Sequence, residues 1–335
     1  TVSGRSTFVE YGVASRETGA RATRDTLFEI GSLSKTFTAT LACLARAQGK
    51  LQLADTPGHW LPPLRGSALD RATLLHLGTY TAGGLPLQFP DTITTVAQAY
   101  DWYRQWTPTA APGVQRRYSN PSIGLLGHVT ALAMQDEFAT LMQRELFKPL
   151  GLNHTHIHVP DAAKSAYAWG YNRANQPIRV NPGVFDAEAY GIKASAADLL
   201  RFVQANLQPP GLPPALRQAI TDTHTGHFAV HGMVQGLGWE QYPWPVALER
   251  LQAGNASEMA LQPQPAAALV PPRKPSGPTL FNKTGSTNGF GGYAAFVPER
   301  GVGVVMLANR NIPIPSRIEA AHAVLTQLDV SKAGP

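Results

Sequence analysis

Ser32-Leu33-Ser34-Lys35 is the only Ser-x-x-Lys in the chain. On a helix, positions i and i+3 share a face, so the Ser32 hydroxyl and the Lys35 ammonium can meet. A serine hydroxyl is a poor nucleophile until a neighbouring base takes its proton. A helix N-terminus adds unpaired N–H groups and positive potential, both useful to a developing oxyanion. Tyr118-Ser119-Asn120 follows Pro112-Gly113 in a loop ahead of a helix. A tyrosine can act as general base where cations depress its pKa, and an amide such as Asn120 can hold a substrate carbonyl or fix the lysine. Lys283-Thr284-Gly285-Ser286 precedes Asn288-Gly289-Phe290-Gly291-Gly292 and then a strand. Its glycines would let a substrate approach the strand backbone, while Lys283 and Thr284 would attract and bond a carboxylate. Each triplet or quartet alone describes an ordinary surface pair, turn or strand end. The three in this order and in these settings are far more specific.

These groups need elements to hold them. Phe28 to Gly31 leads into a helix expected over about 32–48, on which Leu33, Phe37, Leu41 and Leu44 make one apolar stripe and which Gly49 stops. From about 50 to 150 the pattern is helical, most clearly over 123–134 and 138–147, broken by Pro and Gly loops. Ser195-x-x-Asp198 predicts a helix cap ahead of Leu199, Leu200 and Val203. Residues 262–278, rich in Pro and Ala, predict a long surface excursion. Tyr293 to Val297, a turn at 298–301, and Val302 to Leu307 predict a hairpin. A closing helix would bury Ile318, Ala321, Leu325 and Leu328. At the start, Thr1-Val2 reads as a strand end, Ser3-Gly4-Arg5 as a turn, and Ser6 to Val13 as a second strand. Strands at both ends around a helical block predict an α/β plus all-α architecture: an antiparallel sheet flanked by helices, with an inserted helical domain. The expected division is 1–48 with 150–335 for the α/β domain and 49–149 for the all-α domain, with the active site at their interface.

The 335 residues are 43% hydrophobic and 15% charged, which suits a folded chain of one or two domains rather than a disordered one. No apolar run is long enough to span a bilayer, and no N-terminal basic-then-apolar export signal is present. The net charge of +6 hints at an anionic partner. Lys and Arg are scattered, however, the longest run being Arg116-Arg117, and no nucleic-acid motif occurs, so a small anionic substrate is expected. Cys43 is the single cysteine, which excludes an intramolecular disulfide; its setting among Leu41, Leu44 and Ala45 marks it as a small buried hydrophobe. His154, His156 and His158 alternate as metal ligands sometimes do. No Asp or Glu with ligand spacing accompanies them, so solvated strand histidines are expected, with no metal and no cofactor.

Along essentially its whole length the sequence resembles class C serine β-lactamases. The matching segments are Leu27 to Lys35, Thr81 to Gln88, Tyr118 to Gly124, Asp186 to Gly191, Gln235 to Glu240, Asn282 to Ser286 and Leu307 to Asn311. The resemblance implies the serine β-lactamase/penicillin-binding-protein-like fold and hydrolysis of β-lactams, cephalosporins favoured, through an acyl-enzyme on Ser32. It implies that Lys35 and Tyr118 shuttle the proton and that Lys283 holds Tyr118 reactive. Which of Tyr118 and Lys35 is the base stays open. Gln88 and Asn120 would bind the substrate's side-chain amide, and the N–H groups of Ser32 and Ser286 would form the oxyanion hole. Thr284, Asn311 and Arg317 would lie near the substrate carboxylate, Gly285 would also bind substrate, and Tyr190 would line the loop that shapes the acyl side-chain pocket. A D-alanyl-D-alanine peptidase or esterase on the same fold, or a penicillin-binding sensor that stays acylated, uses the same groups. A periplasmic monomer is the expected form.

Two departures matter. Ile314 stands where many members carry an asparagine at the carboxylate end, and Asn282 stands where some carry histidine. Family members begin with a helix and a first strand, whereas this chain opens at that strand's final residues; the N-terminal helix and first strand are therefore expected to be absent from it.

Overall fold

The computed structural model describes residues 1–208 and 211–330; positions 209–210 and 331–335 of the expected α/β segment lie outside the described residues. Strands β1 (Gly226–Val230), β2 (Met233–Gln235), β3 (Glu240–Pro243), β4 (Ala267–Arg273), β5 (Thr279–Ser286), β6 (Gly291–Val297) and β7 (Val302–Ala308) form an antiparallel sheet. Its order is β4-β1-β2-β3-β5-β6-β7.

β6 shows why the sheet is apolar on both sides. Side chains alternate across a strand. Ala294 and Phe296 join a cluster with Phe37, Phe202 and Trp239, whereas Tyr293, Ala295 and Val297 join Ile318, Ala321 and Leu325. The first face is covered by helices α1 (Ser34–Ala47), α4 (Ala196–Asn206) and α5 (Pro214–Thr223). The second is covered by α8 (Ile314–Val330) and α6 (Leu248–Gly254). Phe37 stacks on Phe202 with centroids 3.8 Å apart, and Trp239 meets Phe296 edge-on at 4.9 Å. Burying each of these rings contributes about 2 kcal/mol. Cys43 is buried in the same cluster as expected, and burial pushes its thiol pKa up.

The expected helix over 32–48 forms as a 3₁₀ turn at Gly31–Leu33 running into α1, and Gly49 at φ +70° follows its end. Its predicted stripe is buried, but so is every residue from Ser34 to Ala45. Nothing charged lies between Lys35 and Arg46, so the helix can run through the interior. Thr36, Thr38 and Thr40 donate their hydroxyls to the carbonyls of Leu33, Glu188 and Thr36 at 2.6–2.8 Å, which satisfies them there.

Residues 57–150 carry short helices, α2 (Asn120–Met134), and a helical run from Phe138 to Leu150 with a π-turn over Met142–Phe147. Their one strand is the two-residue Gln115–Arg116. The hairpin of β6 and β7, the Ser195 cap on the Asp198 N–H, and the buried Ile318, Ala321 and Leu325 agree with expectation.

Two expectations are corrected. Ser6 to Val13 is irregular, with Val9 and Tyr11 each 95% exposed; alternation without a facing surface does not make a strand. Residues 262–278 are not a free excursion. Gln264–Pro265 pairs with Gln115–Arg116, and β4 pairs with β1. Pro271 and Pro272 fit because β4 is an edge strand that owes no further N–H to a neighbour. At the opposite edge, the Thr1 amine donates to Gly303 O at 2.7 Å and Val2 bridges Val302.

Candidate active site

The 3₁₀ turn that carries Ser32 abuts the C-terminal end of β5. Gly285 permits this: a Cβ there would stand 2.0 Å from the Ile30 carbonyl oxygen. Gly31 permits it from the other side, since its φ is +53° and a Cβ would fall 2.5 Å from Ser286 N. The backbones of Ser32 and Ser286 thus run side by side.

Lys35, one turn on from Ser32 and fully buried, donates to Ser32 Oγ at 2.9 Å and to the Ala189 carbonyl at 2.7 Å. Ala189 ends the short helix α3 (Asp186–Ala189), whose Glu188 carbonyl accepts from Thr38. Burial lowers the Lys35 pKa to about 8; Tyr118 opposes that fall and Lys283 adds to it.

Tyr118 enters from the loop before α2, where Ser119 caps the helix by accepting from the Ser122 N–H. Lys35 Nζ lies 5.1 Å and Lys283 Nζ 5.0 Å from its ring centroid. Its hydroxyl is sealed from solvent. Burial pushes the phenol up, but the Lys283 and Lys35 ammonium groups, then the Ser32 hydroxyl, outweigh it and bring the pKa to about 8. Lysine and tyrosine are therefore poised to exchange one proton near neutral pH.

Ser32, Tyr118, Lys283, Thr284, Ser286 and Ile314 line a cavity of about 280 Å³, with α7 (Ser257–Leu261) on another wall. Ile314 gives its part of the cavity wall an apolar side chain. Asn120 is buried with its Oδ1 unpartnered, and its N–H donates to Leu87 O at 2.9 Å, which brings the Gln88 loop alongside. Gln88 itself is exposed, and neither it nor Tyr190 lines the cavity. Asn311 is held by Arg317 at 2.6 Å.

Arg317 lies beside Ser286 and Asn311 with all its donors engaged by the protein. Its five N–H groups bond to Ile312 O, Gly285 O, Gly292 O, Ser286 Oγ and Asn311 Oδ1 at 2.6–3.1 Å. It clamps the β5 end and the Asn311 loop together and keeps no donor for a substrate carboxylate.

Three groups escaped the sequence reading. Arg116, read only as half of the longest basic run, is 2% exposed and paired with Glu240 at 3.2 Å. Glu240 stands opposite Asn282 in the β3–β5 ladder, beside Lys283. Glu188 is buried, and burial raises its carboxyl pKa to about 8. The available signal was a charge inside an otherwise apolar segment, as in Gly236-Leu237-Gly238-Trp239-Glu240. Among the described residues no group of three or more His, Cys, Asp or Glu could hold a metal ion, and no helix is long and apolar enough to cross a membrane.

The sequence profile of a family described as beta-lactamase matches residues 1–329. A beta-lactamase of Pseudomonas fluorescens is 51% identical over 326 residues, covering 97% of this chain and 91% of that protein. A class C beta-lactamase solved in complex with cefoxitin is 43% identical and superposes with a TM-score of 0.95 over 98% of this chain and 91% of that one. A beta-lactamase/D-alanine carboxypeptidase from Pseudomonas syringae is 47% identical, with a TM-score of 0.94 over 100% of this chain and 92% of that one.

Proposed function

This chain belongs to the beta-lactamase family, and from that premise we propose that it hydrolyses β-lactams, cephalosporins preferred, through an acyl-enzyme on Ser32. Ser32 Oγ attacks the ring carbonyl and its proton passes to the Lys35–Tyr118 pair. The oxyanion rests on the N–H groups of Ser32 and Ser286. The ring C–N bond breaks as the pair returns the proton to the departing nitrogen. Water then attacks the ester, losing its proton to the same pair, and Ser32 Oγ leaves with a proton.

The observation that carries this reading is the 2.9 Å bond between Lys35 Nζ and Ser32 Oγ, beside a tyrosine ring flanked by two ammonium groups. Lys283 favours the phenolate. Thr284, Gly285 and Asn311 receive the substrate carboxylate, and Arg317 acts through Ser286 and Asn311. Asn120 and Gln88 receive the side-chain amide, and Tyr190 borders the acyl group. The proposed division is an α/β part (1–48 and 150–335) and a helical insert (49–149); most of one apolar cluster, including Leu51, Leu77, Tyr103 and Leu126, lies within the insert, while Phe138, Leu141 and Phe147 of the insert pack into the main core. The proposed setting is a periplasmic monomer conferring β-lactam resistance.

Intact mass after mixing with a cephalosporin, and then with a penicillin, tests the reading. A transient adduct on Ser32 that vanishes as product accumulates is expected. A lasting adduct would point to a penicillin-binding sensor. The Pseudomonas syringae neighbour supports a second reading, D-alanine carboxypeptidase activity at the same site; release of D-alanine from a D-alanyl-D-alanine peptide faster than β-lactam turnover would favour it.

A further inference from the structure

Arg116 has no part in the chemistry above, yet its surroundings are unusually constrained. A guanidinium buried to 2% exposure must have partners for its charge and donors. Its Nε donates to Gln235 Oε1 at 2.7 Å, one terminal nitrogen to Met259 O at 2.8 Å, and the other to Glu240 Oε1 at 3.2 Å. A buried ion pair of this kind adds little net stability over apolar side chains of the same volume, so stability alone is a poor reason for it.

Its position supplies a better one. The guanidinium carbon lies 5.4 Å from the ring centroids of both Tyr80 and Tyr118, which are themselves 4.8 Å apart. Tyr118 is faced by Ser32 of the 3₁₀ turn, Lys35 of α1, Lys283 of β5, Glu240 of β3, Tyr80 of the preceding loop, and Arg116. Glu240 opposes the two ammonium groups, because a carboxylate near a phenol disfavours the phenolate. Met259 belongs to α7, so the bond to its carbonyl ties this group to the cavity wall.

We propose that Arg116 is a positioning residue for Tyr118: it holds the ring against Tyr80, neutralises Glu240 beside the phenol, and fastens both to α7. Its kinetic consequence rests on Tyr118 being a proton carrier. Its electrostatic content does not, and can be read without turnover.

Tyrosinate absorbance is titrated in the wild type, Tyr118→Phe, Arg116→Met, Glu240→Gln and the Arg116→Met/Glu240→Gln double variant. In the wild type, one of the ten tyrosines is expected to ionise ahead of the others, and Tyr118→Phe removes that step. Arg116→Met moves it up by about one pH unit. Glu240→Gln moves it down, and the double variant returns it close to the wild-type midpoint. The acidic limb of kcat/KM for a β-lactam follows the same order. If circular dichroism shows Arg116→Met to be unfolded, Glu240→Gln and the double variant, which buries no unpaired charge, decide the matter. An unmoved step in Arg116→Met, or in Glu240→Gln where the former does not fold, overturns the proposal even if activity falls uniformly across pH. So does the lack of any Tyr118-dependent early step. Correct shifts without β-lactam turnover would uphold the positioning role and defeat the proposed activity instead.

Discussion

Lys35 Nζ donates to the main-chain carbonyl of Ala189 at 2.7 Å while it donates to Ser32 Oγ at 2.9 Å. The loop helix 186–189 therefore aims the lysine at the serine. A guanidinium keeps the charge but cannot occupy the same two-acceptor site or surrender a proton near neutral pH. Lys35→Arg is expected to slow acylation by about 10²–10⁴-fold, measured by stopped-flow with a cephalosporin. Acylation near the wild-type rate would mean that positive charge alone suffices.

Tyr118→Phe removes the hydroxyl that the two ammonium groups hold near pKa 8. If the phenol carries the proton in both half-reactions, acylation and deacylation both fall, by about 10²–10⁴-fold each. Pre-steady-state measurement separates them. Normal turnover would remove tyrosine from the mechanism and leave Lys35 as the base.

Glu188 predicts a pH dependence of stability. Its carboxyl pKa rises from 4.5 to about 8 on folding, through burial above all. The folded state thus keeps a proton that the unfolded chain gives up. The stabilisation is complete below about pH 4.5 and is lost as pH rises toward 8, a difference of about 3 kcal/mol by pH 7. Glu188→Gln, which keeps the neutral shape, should flatten the melting temperature across that window. Parallel curves for the two proteins would show that Glu188 is not protonated in the folded state. Because Lys35 hangs on the adjoining Ala189 carbonyl, the variant should also retain activity further into the alkaline range.

Gly285→Ala would force a methyl against the Ile30 carbonyl oxygen, a backbone atom that cannot swing aside. The turn bearing Ser32 and the strand bearing Ser286 must separate. The expected cost is about 1–3 kcal/mol of stability, with a fall in kcat of about 10²–10³-fold from the displaced oxyanion donors. Calorimetry and steady-state kinetics on one preparation test both. Unchanged kcat would show that the two N–H groups do not act together on the oxyanion.

Much of the architecture was legible because its signals are local. The β6–β7 hairpin declares itself by two short apolar runs on either side of a Pro-Glu-Arg-Gly turn, and the Ser195 cap by its spacing to Asp198. Misreadings arose where a local pattern lacked its partner surface. Ser6 to Val13 alternates with nothing to cover it, and Pro271 and Pro272 look like loop residues until the strand is known to lie at an edge.

The same division runs through the site. Ser32 and Lys35 could be paired from sequence because helical geometry brings positions three apart together. The motifs around Tyr118 and Lys283 could be recognised, and their roles inferred by resemblance. Only the tertiary structure decided that Arg317 has no donor left for a substrate, that Arg116 lies buried against Glu240 at 124 positions' remove, and that Glu188 is enclosed. A charge's solvation and its partners depend on which distant segments close over it, and sequence spacing carries no information about that enclosure.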